Sequence, residues 1–565
     1  MAGQIPVNYV TYPTVSLKAA CFGNNVFDAN TISKCISNLL AVGFRRLVVD
    51  LYWSPERRSW SFCPVSVPLD FDAQPNSTSS GSAATKRAIS SVTSSSGSQL
   101  YQLGPYLCSP DLNVSALIDV LHSYFESTTS LLSVYLEFII FNLHVAASAS
   151  APNESAAAVS GSELPKDSER LGRLLDGSLG QYIYGPDQLA TERSNLNDSW
   201  YQVNNGYEPI TDYFTIHQDS SGLQSTPDGW PCSKYVQLAN WRRVFFGYGK
   251  VDPQLDAYDL SSDNVLFAPS YLTNFVNVSS ATDGSLDDGC LYDPDAYKVS
   301  QVNSSWAQST RIPIPSTADT TAGLGGMSSM VTNLTACGLS PLLNDTLFGA
   351  TAGADIGTYR NISLSSSWAW STGQPADSDS ESRVNPRERC AVIDLSTGGH
   401  WQAIGCSETR RAACRVQDLP FTWVLSTERP SYSDASGVCP NNTSFSVPRT
   451  GLENTYLYRY LLSLQSATNN SVDPGSADPE MRQVWIDLNS LGIASCWVSG
   501  GPDAGCPYAS DPQQLEKRTV LVATIWGIVV CVVAALTLFV KCNANRRNSR
   551  RKRVVEGWEY EGVPS

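Results

Sequence analysis

The sequence predicts an α/β partial (β/α) barrel, then smaller disulfide-stapled α+β modules, then one transmembrane helix. Three observations predict it. Helix and strand patterns alternate over the first 320 residues. From Gly325 to Tyr508, Trp, Cys, Gly and Asn replace helical stripes. Near the end, Thr519–Val540 is a 22-residue run without a charge. The chain has 565 residues, enough for two to four domains. With 38 basic and 53 acidic residues, its net charge of −15 argues against binding a phosphate backbone. With only four His, a His-rich catalytic or metal centre is not expected.

The barrel elements follow in order. Asn30–Val42 carries Ile32, Cys35, Ile36, Leu39 and Leu40 at helical spacing; Asp28 or Asn30 can cap it and Gly43 stops it. Leu47–Trp53 is a short apolar strand. Leu112–Phe125 repeats the helical stripe with Leu117, Ile118, Leu121 and Phe125, and Val134–His144 the strand. Strands apolar on both faces belong in a parallel sheet covered by helices. Arg243–Gly249 and Asn264–Pro269 are further strands. The Ser-rich stretch 74–99 and the Ala/Ser-rich stretch 146–162 read as surface inserts outside the core. Eight strands are not found, so the barrel is expected to be incomplete, over residues 1–320.

Thr519–Val540 is long enough for a hydrocarbon layer of roughly 30 Å. Seven Lys or Arg follow it and two, Lys517 and Arg518, precede it. The positive-inside bias puts the tail, residues 541–565, in the cytosol and residues 1–518 in a lumenal or extracellular space. Cys542 is a candidate for palmitoylation. The start, MAGQIPVNYVTYPTVSL, lacks a basic n-region before an apolar h-region. Two explanations compete, a late start and a tail anchor with the opposite sidedness. Glycosylation acceptors favour the first: Asn76, Asn113, Asn153, Asn197, Asn277, Asn303, Asn333, Asn344, Asn361, Asn441, Asn442 and Asn469 all precede the run. So do 13 of the 15 cysteines, in spacings that read as disulfides, with Cys496 and Cys506 a natural pair.

The candidate chemistry is sparse. Asp50 and His144 stand near strand ends, where barrels keep their catalytic groups, and Glu137 lies on the same strand as His144. An acid–base phosphodiesterase of the phospholipase type needs two His and metal-binding carboxylates, and no second strand-end His is found. His122 falls in a helical pattern and His217 in an irregular stretch. No zinc spacing occurs, and Gly323–Gly326 lacks the Lys of a phosphate-binding loop. No cofactor, metal or nucleic acid is implied.

Two resemblances enter here. WAWSTGQP (Trp368–Pro375), ERCAVIDLSTGGHW (Glu388–Trp401) and QAIGCSETRRAAC (Gln402–Cys414) look like the second half of a C-type-lectin-like domain. By that likeness Cys390 would pair with Cys406, and Cys414 with Cys337, in a module over 325–416. SYSDASGVCP, VWIDLN and CWVSGGPDAGCPY look like a degenerate second copy over 417–510, leaving Cys439 without an obvious partner. Calcium-binding members need carboxylate or amide oxygens where this chain has Ala376 and Ala403, so calcium-dependent sugar binding is not expected. Asp377, Asp379 and Glu381 read as a solvated acidic loop.

The motif order VVDLYWS, FNLHVAAS, LANWRRVFFGYGKVD, GQP…CAVIDL, WIDLNSL…CPY, one span and a basic tail resembles the fungal maintenance of telomere capping protein 6 family. The resemblance implies a single-pass type I membrane glycoprotein with a partial TIM-like barrel and no established chemistry. The leading expectation is a non-catalytic protein that binds a protein or glycan partner. A phosphodiesterase- or glycosidase-like enzyme using Asp50, Glu137 and His144 is the alternative, and a structural cell-surface protein the third.

Overall fold

The structure, a computed structural model, describes residues 4–69, 90–129, 134–200, 211–281, 283–314, 319–375, 388–417, 419–466, 472–506, 526, 528–542, 553–555 and 558–560. Residues 1–504 form one compact unit and residues 505–565 a second.

The first unit begins with parallel strands β1 (Thr14–Ser16), β2 (Arg46–Ser54), β3 (Glu137–Val145), β4 (Val244–Val251) and β5 (Leu266–Phe267). β1 is flanked on its other side by β8 (Leu342–Leu343), giving the parallel order β5-β4-β3-β2-β1-β8. β6 (Asn274–Val276) and β7 (Ala307–Ser309) pair in parallel, and a parallel bridge from Gln308 to Ser340 ties them to the segment entering β8. No pairing joins β5 to β6 among the described residues, so the barrel is partial.

Alternation decides which side chains face the helices. Leu47, Val49 and Leu51 of β2 and Ile139, Phe141 and Leu143 of β3 share a core with α1 (Ala29–Ala41), α2 (Ser115–Ser127) and α3 (Leu171–Leu179). Phe138 and Ile140 belong to a different core, with Phe245 of β4. Asp28 caps α1, accepting from the Asn30 N–H at 2.9 Å, a contact worth about 1 kcal/mol. Arg46 is 1% exposed and donates to Leu272 O at 2.6 Å and to Ser340 Oγ at 3.1 Å, linking segments on both sides of the gap between β5 and β6.

The barrel extends past its expected end at residue 320. α4 (Thr320–Ala336) buries Met327, Met330, Val331 and Leu334 against the same core, and α5 (Ile356–Ser365) packs beside it. Gly323–Gly326 lies inside α4. The sequence pattern hides this helix because glycine, serine and threonine fill its turns. Part of the expected surface inserts is ordered too. Ser91–Thr93, Gln99–Leu103 and Tyr106–Cys108 build a small sheet on Val26–Phe27, and the Val159 N–H bonds Gln254 O at 3.0 Å. Residues 74–89 lie outside the described residues.

The remainder of the unit is one sheet, not two modules in series. β9 (Glu388–Asp394), β10 (His400–Gly405), β11 (Arg411–Val416), β12 (Trp423–Leu425), β13 (Thr443–Phe445) and β14 (Gln483–Asn489) pair in the order β10-β9-β14-β11-β12, with β13 on β11. β14, from the expected second copy, sits between β9 and β11 of the first. Every residue of β14 is buried, which a strand within a single module's edge would not require. α6 (Gly451–Ser463) packs beside α4.

Cys21–Cys35, Cys63–Cys108, Cys290–Cys337, Cys390–Cys406 and Cys414–Cys439 are disulfides, and Cys496 and Cys506 are disulfide-bonded. The pairing of Cys414 with Cys337 implied by the lectin likeness is corrected. Cys337 ends α4 on the barrel side and takes Cys290. Cys414 is buried in β11 beside Tyr432 and Trp485, so the nearby Cys439 reaches it.

In the second unit, residues 528–542 are helical and their large apolar side chains are exposed. Residues 519–525 and 527 and most of the basic tail lie outside the described residues. Among the described residues no helix is long and apolar enough to cross a membrane.

Candidate functional site at the barrel mouth

The C-terminal ends of β2, β3 and β4 carry the candidate site. Parallel register sets Asp50 opposite Asn142 and Tyr52 opposite His144. Alternation turns these four away from the helix-packed face. The register of β4 against β3 shifts between Tyr248 and Val251. Such an irregularity re-aims the chain at a strand end. Here it brings Asp252, whose N–H bonds Leu143 O at 2.9 Å, to the His144 ring.

His144 Nδ1 lies 2.6 Å from Asp252 Oδ2, and Nε2 lies 3.8 Å from Asp50 Oδ1, beyond hydrogen-bond length. The imidazole stacks on Tyr52 with centroids 4.7 Å apart. Asn142 donates to Asp50 Oδ1 at 2.8 Å and accepts from the Lys250 N–H at 2.8 Å. Gly249 makes room for that amide, since a Cβ there would lie 2.4 Å from Asn142 Oδ1. The Lys18 ammonium donates to Tyr52 Oη at 3.3 Å, and Lys250 Nζ is 3.3 Å from Asp252. The site is sheltered yet reachable: the His144 side chain is 17% exposed and that of Asp252 24%.

The charges tune one another. Burial pulls the His144 pKa down, but the Asp50 and Asp252 carboxylates outweigh it and hold the imidazole above its ordinary value. Burial pushes the Asp50 pKa up, while His144 and Asn142 prevail and lower it; Asp252 is lowered in the same way by His144. The result is an imidazole whose protonated form the two carboxylates favour, oriented at Nδ1 by one of them, with Nε2 turned toward the other. That arrangement can hand a proton to a bound oxygen and take it back.

Of the three residues picked from sequence, the fold brings Asp50 and His144 together and leaves Glu137 out. Glu137 begins β3 at the opposite end and faces α2, where Arg45 reaches it at 2.8 Å. It is fully buried, and burial pushes its pKa up to about 7 against the pull of Arg45. Asp252 was missed, although it closes the motif GYGKVD; its signal was a carboxylate just past a predicted strand. His122 lies on α2, 3.6 Å from Glu126, and His217 is exposed. Among the described residues no group of three or more His, Cys, Asp or Glu is disposed to hold a metal. In the stretch expected to be lectin-like, Gln374 Oε1 accepts from the Ala403 N–H at 3.2 Å, and Trp401 is buried and donates its indole N–H to Asn454 Oδ1. Asp377, Asp379 and Glu381 lie outside the described residues.

Residues 1–366 match the family described as the MTC6 partial TIM-barrel domain. The chain belongs to this family. Among its relatives, maintenance of telomere capping protein 6 of Meyerozyma guilliermondii is 24% identical, covering 99% of this chain and 92% of the relative. The proteins of the same name from Yarrowia lipolytica and Saccharomyces cerevisiae are 27% and 25% identical, over 70% and 80% of this chain and 57% and 76% of theirs. No solved structure matches the chain. In this chain the matched segment includes β2 and β3, which carry Asp50 and His144, and β4, just past which Asp252 stands.

Proposed function

We propose that the barrel mouth is a proton-transfer site of the phosphodiesterase or glycosidase type, on a glycosylated single-pass type I membrane protein. The observation that carries the reading is His144 held between Asp50 and Asp252 at the C-terminal ends of neighbouring parallel strands, where barrels keep their chemistry. Asp252 fixes the ring through Nδ1. As water adds to the phosphorus or anomeric carbon and the bond to the leaving oxygen breaks, Nε2 gives that oxygen its proton; the proton shed by the water returns to Nε2, and Asp50 stabilises the imidazolium between turns. Lys18 and Lys250 offset the carboxylate charge at the rim.

Hydrolysis of bis(p-nitrophenyl) phosphate and of p-nitrophenyl glycosides tests it. General acid–base groups contribute about 10²–10⁴-fold, so His144→Gln should cost at least about 100-fold. Wild-type turnover no faster than that of His144→Gln would end the enzyme reading. The second reading, a non-catalytic protein that binds a protein or glycan partner, then stands. What favours it is that His144 is the one imidazole at the mouth among the described residues, where paired His would be expected.

Sidedness rests on the 22-residue uncharged run with its trailing basic cluster, on the disulfides, and on the acceptors. Asn153, Asn277, Asn303, Asn344, Asn361, Asn441 and Asn442 are exposed; Asn113, Asn197 and Asn333 are half-buried; Asn76 and Asn469 lie outside the described residues. The exposed apolar flank of residues 528–542 supports the same reading. Protease protection in sealed microsomes tests it, and loss of the large portion to added protease would refute it. The relatives' name concerns telomere capping; from across a bilayer, any such role of this chain is indirect.

A further inference from the structure

A cavity lies away from the mouth. It is a cleft of about 590 Å³ between α4, α6 and the turn at Gly398–His400. That volume is in the range of small-ligand pockets, roughly 300–1,000 Å³. Three half-buried aromatic side chains, Tyr292, Trp368 and Tyr458, line it. Polar groups stand between them: Asn333, His400 and Arg459. Among the described residues no Asp or Glu lines it, in a chain with net charge −15.

The walls are set before any ligand arrives. Trp368 is held edge-on to the buried Trp401, with centroids 5.3 Å apart. Gly399, at φ +84°, lets the Tyr458 ring lie against the backbone, since a Cβ would come within 2.7 Å of it. A Cβ at Gly451 would fall 2.3 Å from Thr335 O, so α6 can approach the end of α4 only with glycine there. The Cys290–Cys337 disulfide belongs to the lining and ties the segment carrying Tyr292 to α4.

Two groups in the lining are left over. The exposed Arg459 guanidinium lies 5.9 Å over the Tyr292 ring and meets no carboxylate within salt-bridge distance among the described residues. His400 Nδ1 is buried and finds no hydrogen-bond partner among the described residues. Burial holds the His400 pKa below its ordinary value, so the ring is a neutral partner near pH 7.

We propose that this cleft is a saccharide-binding site that prefers a sugar bearing an acidic group. A sugar ring has an apolar C–H face and a rim of hydroxyls. Aromatic faces bury the first, and amide and imidazole groups bond the second. Arg459 pairs with a carboxylate or phosphate on the ring. The site needs no calcium and is independent of the barrel mouth.

The test uses the full chain in detergent, with tryptophan fluorescence and saturation-transfer NMR as readouts. The probes are mannose 6-phosphate and glucuronic acid, the neutral sugars mannobiose and chitobiose, and inorganic phosphate. At least one acidic sugar should bind saturably and more tightly than the neutral ones. Arg459→Gln, at an exposed position, should abolish that preference, and Tyr458→Ser should weaken all sugars about tenfold. His144→Gln should leave the cleft's affinity for these sugars as in the wild type, which separates this site from the mouth. The proposal is overturned if none of the four sugars binds saturably, or if both cleft variants bind as the wild type does. Phosphate competing as well as mannose 6-phosphate, or a glycan of the chain's own on Asn333 filling the cleft, overturns it too.

Discussion

Replacing Asp252 by Asn removes one charge 2.6 Å from His144 Nδ1 and almost no volume. The amide oxygen still accepts the Nδ1 proton, so the variant isolates charge from shape. With Asp252 neutral, burial acts on His144 against Asp50 alone, and the His144 pKa falls. The stability effect follows from both partners. His144 is raised in the fold, so its contribution is fully present below its ordinary value of 6.5 and is lost as pH rises through the folded value. Asp252 is lowered, so its contribution is present above 3.8 and is lost as pH falls through the folded value. The pair therefore stabilises fully between about pH 4 and 6.5. A hydrogen bond to a charged group is worth about 1.5–3 kcal/mol. With a quarter of the Asp252 side chain in water, the loss should be about 1–2 kcal/mol. Urea unfolding at pH 5 and pH 9, with NMR titration of the four imidazoles, measures both quantities. The difference between wild type and variant should be larger at pH 5. An unchanged His144 titration, or a difference that grows toward pH 9, would refute the assigned pairing.

Further outcomes follow from other buried features. Glu453 is fully buried, accepts from Tyr213 Oη and from the Arg449 N–H at 2.8 Å, and faces Arg449 Nε at 3.6 Å. Glu453→Ala strands a buried guanidinium and should cost about 3–5 kcal/mol in denaturant unfolding; a loss below about 1 kcal/mol would show that Arg449 finds water. Cys290 and Cys337 are 47 residues apart. Chain entropy gives that bridge about 4 kcal/mol as an upper figure, and Cys337→Ser should lower the thermal midpoint accordingly. Glycopeptide mapping should find sugar on the exposed Asn277 and Asn303 and none on Asn333. The Asn333 amide donates to Gly284 O at 2.7 Å, and Thr335 of the same acceptor triplet is buried.

Much of the barrel was legible because its signals are local. The stripe from Ile32 to Leu40 and the apolar runs around Val49 and Ile140 specify helix and strand within a few residues of chain. α4 was not legible, because its buried Met327, Met330 and Val331 are diluted by glycine and serine. The strands β6 to β8, of two or three residues each, are too short for any periodicity to register. At the mouth, Asp50 and His144 were visible as polar residues ending apolar strands. Glu137 looked equivalent but starts its strand, and only the strand's direction and pleat show that it faces α2.

The sequence by itself determined the parallel α/β start, the cysteine-stapled remainder and the uncharged run near the end, since each is written in neighbouring residues. Tertiary structure alone decided the rest. Asp252 reaches His144 only because β4 shifts register against β3. Cys414 takes Cys439, and β14 enters the sheet between β9 and β11, because burial of both faces favours a central strand over a separate module. The physical reason is common to all three: partners distant in the chain are chosen by pairing register and by competition for buried surface, and neither is encoded in any single stretch.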